Sequence, residues 1–170
     1  MLRDGDKDAI ALFIEENQKN IFALAYRFTG NRDDAKDITQ ETFLKAIQNI
    51  KKFRGDSSPA TWLYAIASNL LKDRATKNES ASMTTIDENT TVDCPSFAEE
   101  FEASEERAIV LKALRSLPEE MRTAFILRFD RGLKIGEIAR AIGKSEGTIK
   151  AQIHEALIKI RKIAGVENEE

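Results

Sequence analysis

Residues 78–106 hold nine acidic residues and no basic one, and the stretch "NESASMTTIDENTTVDCPSFAEEFEAS" (78–104) sustains no helical stripe. A segment so rich in Ser, Thr, Asn and Glu buries too little apolar surface to offset the entropy of ordering, so a flexible linker is expected there. Elsewhere apolar residues recur with helical period, and no alternating strand pattern appears. The chain is therefore expected to be all-α, with two small helical domains (1–77 and 105–165) joined by a flexible acidic linker (78–104). Blocks of about 60–80 residues bury proportionally little surface, so each is expected to lean on a partner for part of its stability.

The linker also decides how the charge is read. The net charge of −3 argues against nucleic acid until it is divided along the chain. Residues 1–77 carry 13 Lys/Arg against 11 Asp/Glu (+2), the connector carries −9, and residues 107–170 carry 13 against 9 (+4). Two mildly basic blocks flanking an acidic connector are compatible with a polyanionic ligand. Other classes find no support. There is no 18-residue apolar run, so no membrane insertion is expected. The start "MLRDGDKDAIALF" lacks the basic and then apolar pattern of a signal peptide, and a cytoplasmic location is expected. Cys94 is the single cysteine, which rules out an internal disulfide. His154 is the single histidine and has no Cys or His at ligand spacing, so no metal is expected. No nucleophile stands with a base and no nucleotide-binding glycine motif occurs, so no catalytic residue, cofactor or small-molecule substrate is expected.

Three local patterns say more. Asn31 can cap a helix to about Ile50, with Ala35, Ile38, Thr42, Phe43, Ala46 and Ile50 on the inward face. Its opposite face collects Asp37, Gln40, Glu41, Leu44 and Gln48. That face is either solvated surface or, with Leu44 as an apolar centre, a docking surface. Next comes "FRGDSSPATW" (53–62), where Ser58-Pro59 reads as N-cap and first helical position. The loop Arg54–Ser58 thus joins two helices, with Phe53 and Trp62 at its edges. The following helix, to about Lys77, has its apolar face at Leu63, Ile66, Ala67 and Leu70, with Ala65, Asn69 and Lys72 outside. Trp62 is either a core residue with a polar border or an indole that stacks on a base beside an amide able to read its edge.

The third pattern lies in "LKIGEIARAIGKSEGTIKAQIHEALIKIRK" (133–162). Small Ala139 lets two helices approach, Gly143 turns the chain at positive φ, and Ser145 caps a second helix held by Ile149, Ile153, Leu157 and Ile160. Lys150, Gln152, His154 and Glu155 are expected to look outward. This is helix-turn-helix spacing, in which the second helix enters the major groove through its N-terminal part. A chance helical hairpin is the alternative.

Together these segments resemble the extracytoplasmic-function sigma factors of the sigma-70 superfamily. "DDAKDITQETFLKAIQNIKKF" is similar to the family's core-polymerase-binding helix, with D-x-x-Q-E-x-F at Asp37, Gln40, Glu41 and Phe43. "FRGDSSPATWLYAIASNLLKD" is similar to the segment that reads the minus-ten element. "SLPEEMRTAFILRFDRGLKIGEIARAIGKSEGTIKAQIHEAL" is similar to the minus-thirty-five reader, including Leu117-Pro118. The resemblance implies that Asp37, Gln40, Glu41, Leu44 and Gln48 dock on the clamp helices of the largest polymerase subunit. It implies that Phe53, Arg54, Gly55, Asp56, Ser57, Trp62, Asn69 and Lys72 bind the minus-ten element, with the loop holding a base flipped from the melted non-template strand. Opening costs about 1.4 kcal/mol per base-pair step, and a base stacked on an aromatic returns roughly 1–3 kcal/mol. Minus-thirty-five DNA would meet Ser145, Glu146, Gly147, Thr148, Lys150, Gln152, His154 and Glu155. The implied partners are core RNA polymerase, promoter DNA and an anti-sigma factor. The chain departs from the family at Ala65, where a basic residue is common, and at Gln152 and Glu155, where arginines are usual. Glu155 would repel phosphate, although a carboxylate can accept from the cytosine amino group. The rival reading is a helix-turn-helix regulator with a helical partner-sensing domain, which leaves the first two segments idle.

Overall fold

A computed structural model of the chain describes residues 6–80 and 105–165. They form seven α-helices: α1 (Lys7–Thr29), α2 (Arg32–Asn49), α3 (Pro59–Ser80), α4 (Glu105–Ser116), α5 (Glu119–Phe129), α6 (Ile135–Ile142) and α7 (Glu146–Ala164). A single 3₁₀ turn, Ile50–Lys52, extends α2. Among the described residues there is no strand. The expected linker lies outside the described residues except at its edge, where α3 continues through Ser80, three residues beyond the expected boundary.

Helix ends follow local chemistry. Asn31 Oδ1 accepts from the amides of Asp33 (2.9 Å) and Asp34 (3.0 Å), satisfying two of the orphan donors of α2. Ser58 Oγ accepts from Thr61 N at 3.1 Å and starts α3. Ser145 Oγ accepts from Thr148 N at 3.1 Å and starts α7.

The first body packs α2 between α1 and α3. The α2 face at Ala35, Ile38, Thr42, Phe43 and Ala46 is buried, and Phe13 meets Phe43 edge to face at 6.3 Å. Thr42 survives burial because its hydroxyl donates to Ile38 O at 2.6 Å. On α3, Leu63, Ala67 and Leu70 are buried as the spacing predicts, but Ile66 is only half-buried, and Tyr64 and Leu71 are buried as well. The wider stripe has a tertiary cause: α3 packs on α1 and α2 and is also covered by α5 and α6.

In the second body, Leu114, Leu117, Met121, Leu127, Ile138, Ile149 and Ile153 close over one another. Arg122 holds the α4–α5 corner, donating to Arg115 O (2.8 Å) and Leu117 O (2.9 Å). Its remaining Nη1 crosses to Phe28 O of the first body at 2.8 Å, and the guanidinium lies 4.7 Å over the Phe28 ring. This seam is continuous, since buried residues of both bodies belong to one cluster. Arg131 donates to Asn20 Oδ1 at 2.7 Å, and Asp130 pairs with both Arg27 and Arg131. Burial raises the Tyr64 pKa, an effect partly offset by Arg131 beside its hydroxyl. Gly30 ends α1 at φ 68°, with the mobile end of the Arg115 side chain lying over it. Glycine is thus favoured there by the left-handed backbone. Each small block is covered in part by the other.

Candidate nucleic-acid interface

Three surfaces hold the candidate residues, and they differ in what covers them. The first is the outer face of α2. Asp37, Gln40, Glu41, Leu44 and Gln48 are all exposed, with Leu44 at 60%. Ile47, at 38%, joins them and was missed, although its place one turn after Leu44 on the same face was available from helical spacing. Asp37 and Asp34 receive Arg74 of α3 (3.6 and 2.5 Å), which fixes the start of this face. Glu41 pairs with Lys45 at 3.5 Å. The result is two adjacent apolar side chains in a polar surround, a pattern suited to docking another protein.

The second surface is the loop after α2 and the outer edge of α3. Gly55 turns at φ 81° in open space. Arg54, Gly55 and Asp56 are exposed, whereas Phe53 and Ser57 are half-buried. The Phe53 and Trp62 rings meet at 5.1 Å with planes tilted by 38°. Two rings in contact leave no slot between them. Their contact makes a rigid corner, and any stacking has to use an outer ring face. Trp62 is half-buried and packs against the core, which leaves part of its indole at the surface. Asn69 and Lys72 follow along the same edge and are exposed.

The third surface is α6–turn–α7. Gly143 turns at φ 74° and donates to Ala139 O at 2.9 Å, closing the corner with the buried Ala139 beneath it. Ser145, Glu146, Gly147, Thr148 and Lys150 lie exposed at the start of α7, and His154 and Glu155 are exposed further along. Glu155 pairs with Lys159 at 2.9 Å. Gln152 departs from the expectation that it looks outward. It is half-buried and donates to Glu120 Oε2 at 3.3 Å, because α5 packs along that side of α7.

Glu120 is the residue that sequence reasoning missed entirely. Its Oε1 lies 3.1 Å from Lys72 Nζ of α3 and 3.2 Å from Lys144 Nζ, just before α7. The hydrogen bond from Lys72 holds its carboxyl below the ordinary range, with burial opposing and Lys144 adding to the effect. Around it, Phe28, Ser68, Asn69, Lys72, Thr123 and Ile142 line a small cleft between the bodies. Nearby, Arg140 Nη1 donates to Asp56 O at 2.9 Å, so α6 also reaches the loop. No local pattern pointed to these contacts, since the partners lie tens of residues apart in sequence.

Among the described residues no cluster of His, Cys, Asp or Glu could hold a metal, and no helix is long and apolar enough to cross a membrane. The family model for Sigma-70 region 2 matches residues 13–81, and that for Sigma-70, region 4 matches residues 107–160. The RNA polymerase sigma-H factor of Pseudomonas aeruginosa is 33% identical over 168 residues, covering 93% of this chain and 87% of the relative. The ECF RNA polymerase sigma-E factor of Haemophilus influenzae is 34% identical over 167 residues, covering 91% and 87%. Among solved structures, the sigma factor RpoE of Bartonella quintana, in complex with the anti-sigma factor NepR, superposes with a TM-score of 0.74 at 20% identity. That match covers 91% of this chain and 96% of the other. CnrH in complex with the cytosolic domain of CnrY gives 0.71 at 20% identity, covering 98% and 94%. These two likenesses establish the fold alone.

Proposed function

The chain belongs to the extracytoplasmic-function RNA polymerase sigma factors and acts in transcription initiation; from that premise we propose how its surfaces divide the work. The α2 face of Asp37, Gln40, Glu41, Leu44 and Gln48, extended by Ile47, docks on core RNA polymerase. Phe53, Arg54, Gly55, Asp56 and Ser57, with Trp62, Asn69 and Lys72, engage the melted minus-ten strand. The α7 residues Ser145, Glu146, Gly147, Thr148, Lys150, His154 and Glu155 meet minus-thirty-five DNA, with Gln152 joining them once it leaves Glu120. Residues 1–77 and 105–165 act as the two promoter-reading domains, and 78–104 as their connector.

The observation that carries this reading is that the relatives match through both bodies. A helix-turn-helix regulator would use only the second. Sigma factors are non-enzymatic initiation factors, and we assign this chain no catalysis of its own. It works in the cytoplasm, where the polymerase is. Two relatives in fold were solved with an anti-sigma factor or a partner's cytosolic domain, and we extend an anti-sigma partner to this chain. The test is transcription from a promoter library by bacterial core polymerase with and without the purified chain. Selective initiation that depends on the chain is expected. Binding to duplex DNA alone, with no initiation on core enzyme, would make it a regulator instead.

A further inference from the structure

The helix α7 presents less hydrogen-bonding capacity to DNA than its composition suggests. Burial of Ile149, Ile153 and Ala156 fixes how the helix is turned. At about 100° per residue, the direction straight away from them falls on Gly147, Ala151, His154 and Ile158. All four are exposed. Most polar side chains around them are engaged elsewhere. Thr148 Oγ1 shares a hydrogen bond with Ser145 Oγ at 2.8 Å, Gln152 donates to Glu120 Oε2 at 3.3 Å, and Glu155 pairs with Lys159 at 2.9 Å. Glu146 lies back toward Gly136 of α6. Among the described residues, His154 and Lys150 have no such partner. His154 stands at the centre of the outward face, whereas Lys150 stands roughly 90° round from it, on the flank.

We propose that the minus-thirty-five preference of this chain is set by Ala151 and His154, which read a thymine methyl and a neighbouring purine, while Lys150 holds a phosphate. The proposal rests on the assignment of α7 to minus-thirty-five DNA. Gly147 and Ala151 project no further than a Cβ, so the helix can sit deep in the major groove with the Ala151 methyl at the base edges. Thymine alone carries a methyl there. The amino group of adenine or cytosine, or the O6 of guanine, loses water against alanine and gains no partner. His154 follows three residues later, about 4.5 Å along the axis. Base pairs are spaced about 3.4 Å apart, so His154 meets the neighbouring pair. An imidazole carries at least one N–H donor, and a purine offers it N7 as acceptor. Lys150, on the flank, is placed for the backbone, where contacts position the helix without reading sequence.

The test uses holoenzyme reconstituted from core polymerase and the full chain, on promoters with a randomised minus-thirty-five block. Selected promoters should carry a thymine beside a purine. Replacing that thymine by deoxyuridine removes only the methyl and should weaken promoter binding about fourfold, the contribution of one buried methyl-sized group. The 7-deaza form of the purine should weaken it about fivefold, the contribution of one hydrogen bond, and His154→Ala should abolish that difference. Ala151→Gln should move the preference from thymine to adenine at that one position, because a glutamine amide pairs with adenine N6 and N7. Lys150→Gln should weaken all sequences alike and lower the salt slope by about one. All three side chains are exposed, so these variants leave the core untouched. Equal binding of thymine and deoxyuridine by the parent, or unchanged preference in Ala151→Gln, would overturn the proposal. A preference that neither the Ala151 nor the His154 variant moves removes the proposal and leaves α7 as the reader. A block that returns no preference at all removes the minus-thirty-five assignment beneath it as well.

Discussion

The outer face of α2 and the outer edge of α3 are the same kind of surface, built on neighbouring helices of one small body, and they have opposite fates. On α2, Leu44 and Ile47 stand exposed among polar residues with nothing over them. On α3, Lys72 is paired with Glu120, and Asn69 lines a cleft closed by α5 and α6. The difference comes from which side of the body carries complementary groups. The C-terminal half of α1 and its Gly30 cap present Asn20, Arg27, Phe28 and Gly30, and the second body answers with Asp130, Arg131, Arg122 and Arg115. The outer face of α2 meets no such partner among the described residues. Being outside one's own body is thus not the same as being open.

Breaking the seam at its centre should have the largest effect. Arg122 serves three carbonyls, two in its own body and one at Phe28. Arg122→Ala leaves them without their donor and should cost about 2–3 kcal/mol in chemical denaturation, within the range for unsatisfied buried groups. A loss under about 0.5 kcal/mol, the level of an ordinary surface change, would mean that the corner stands without it.

Leu44→Asp attacks the open side. It should weaken core-polymerase binding by about 2 kcal/mol, roughly thirtyfold, with unchanged helicity and melting. Undiminished affinity in the folded variant would move docking off α2.

On the covered side, Asn69→Ala should reduce promoter opening and relax minus-ten preference by about 1 kcal/mol, with core binding intact. Permanganate footprinting of the reconstituted holoenzyme measures this. Unchanged opening and base preference would leave Asn69 as mere surface.

The smallest effect expected is on pH. The Glu120 carboxyl lies below its ordinary 4.5 where the two bodies meet. Its contribution to their contact is therefore complete above that ordinary value and fades as pH falls through the lowered one. Scattering between neutral pH and pH below 4.5 should show the parent loosening more than Glu120→Gln. Identical profiles would mean that the Glu120 ion pairs do not help hold the two bodies together.

What is local was legible. The caps at Asn31, Ser58 and Ser145, the turn at Gly143, and the inward face of α2 each depend on residues within a few positions of one another, so the sequence alone determined them. It also determined which residues of α2 point outward, because helical period alone sets that. Tertiary structure decided the rest. Tyr64 and Leu71 are buried because α3 is enclosed on more sides than its stripe announces, and Gln152 turns inward because α5 runs beside α7. Glu120 acquires meaning only when Lys72, 48 residues earlier, is brought to 3.1 Å. Helical period acts over one or two turns, whereas the pairing of charges across the seam depends on how two separately folded surfaces meet, and no local spacing encodes that.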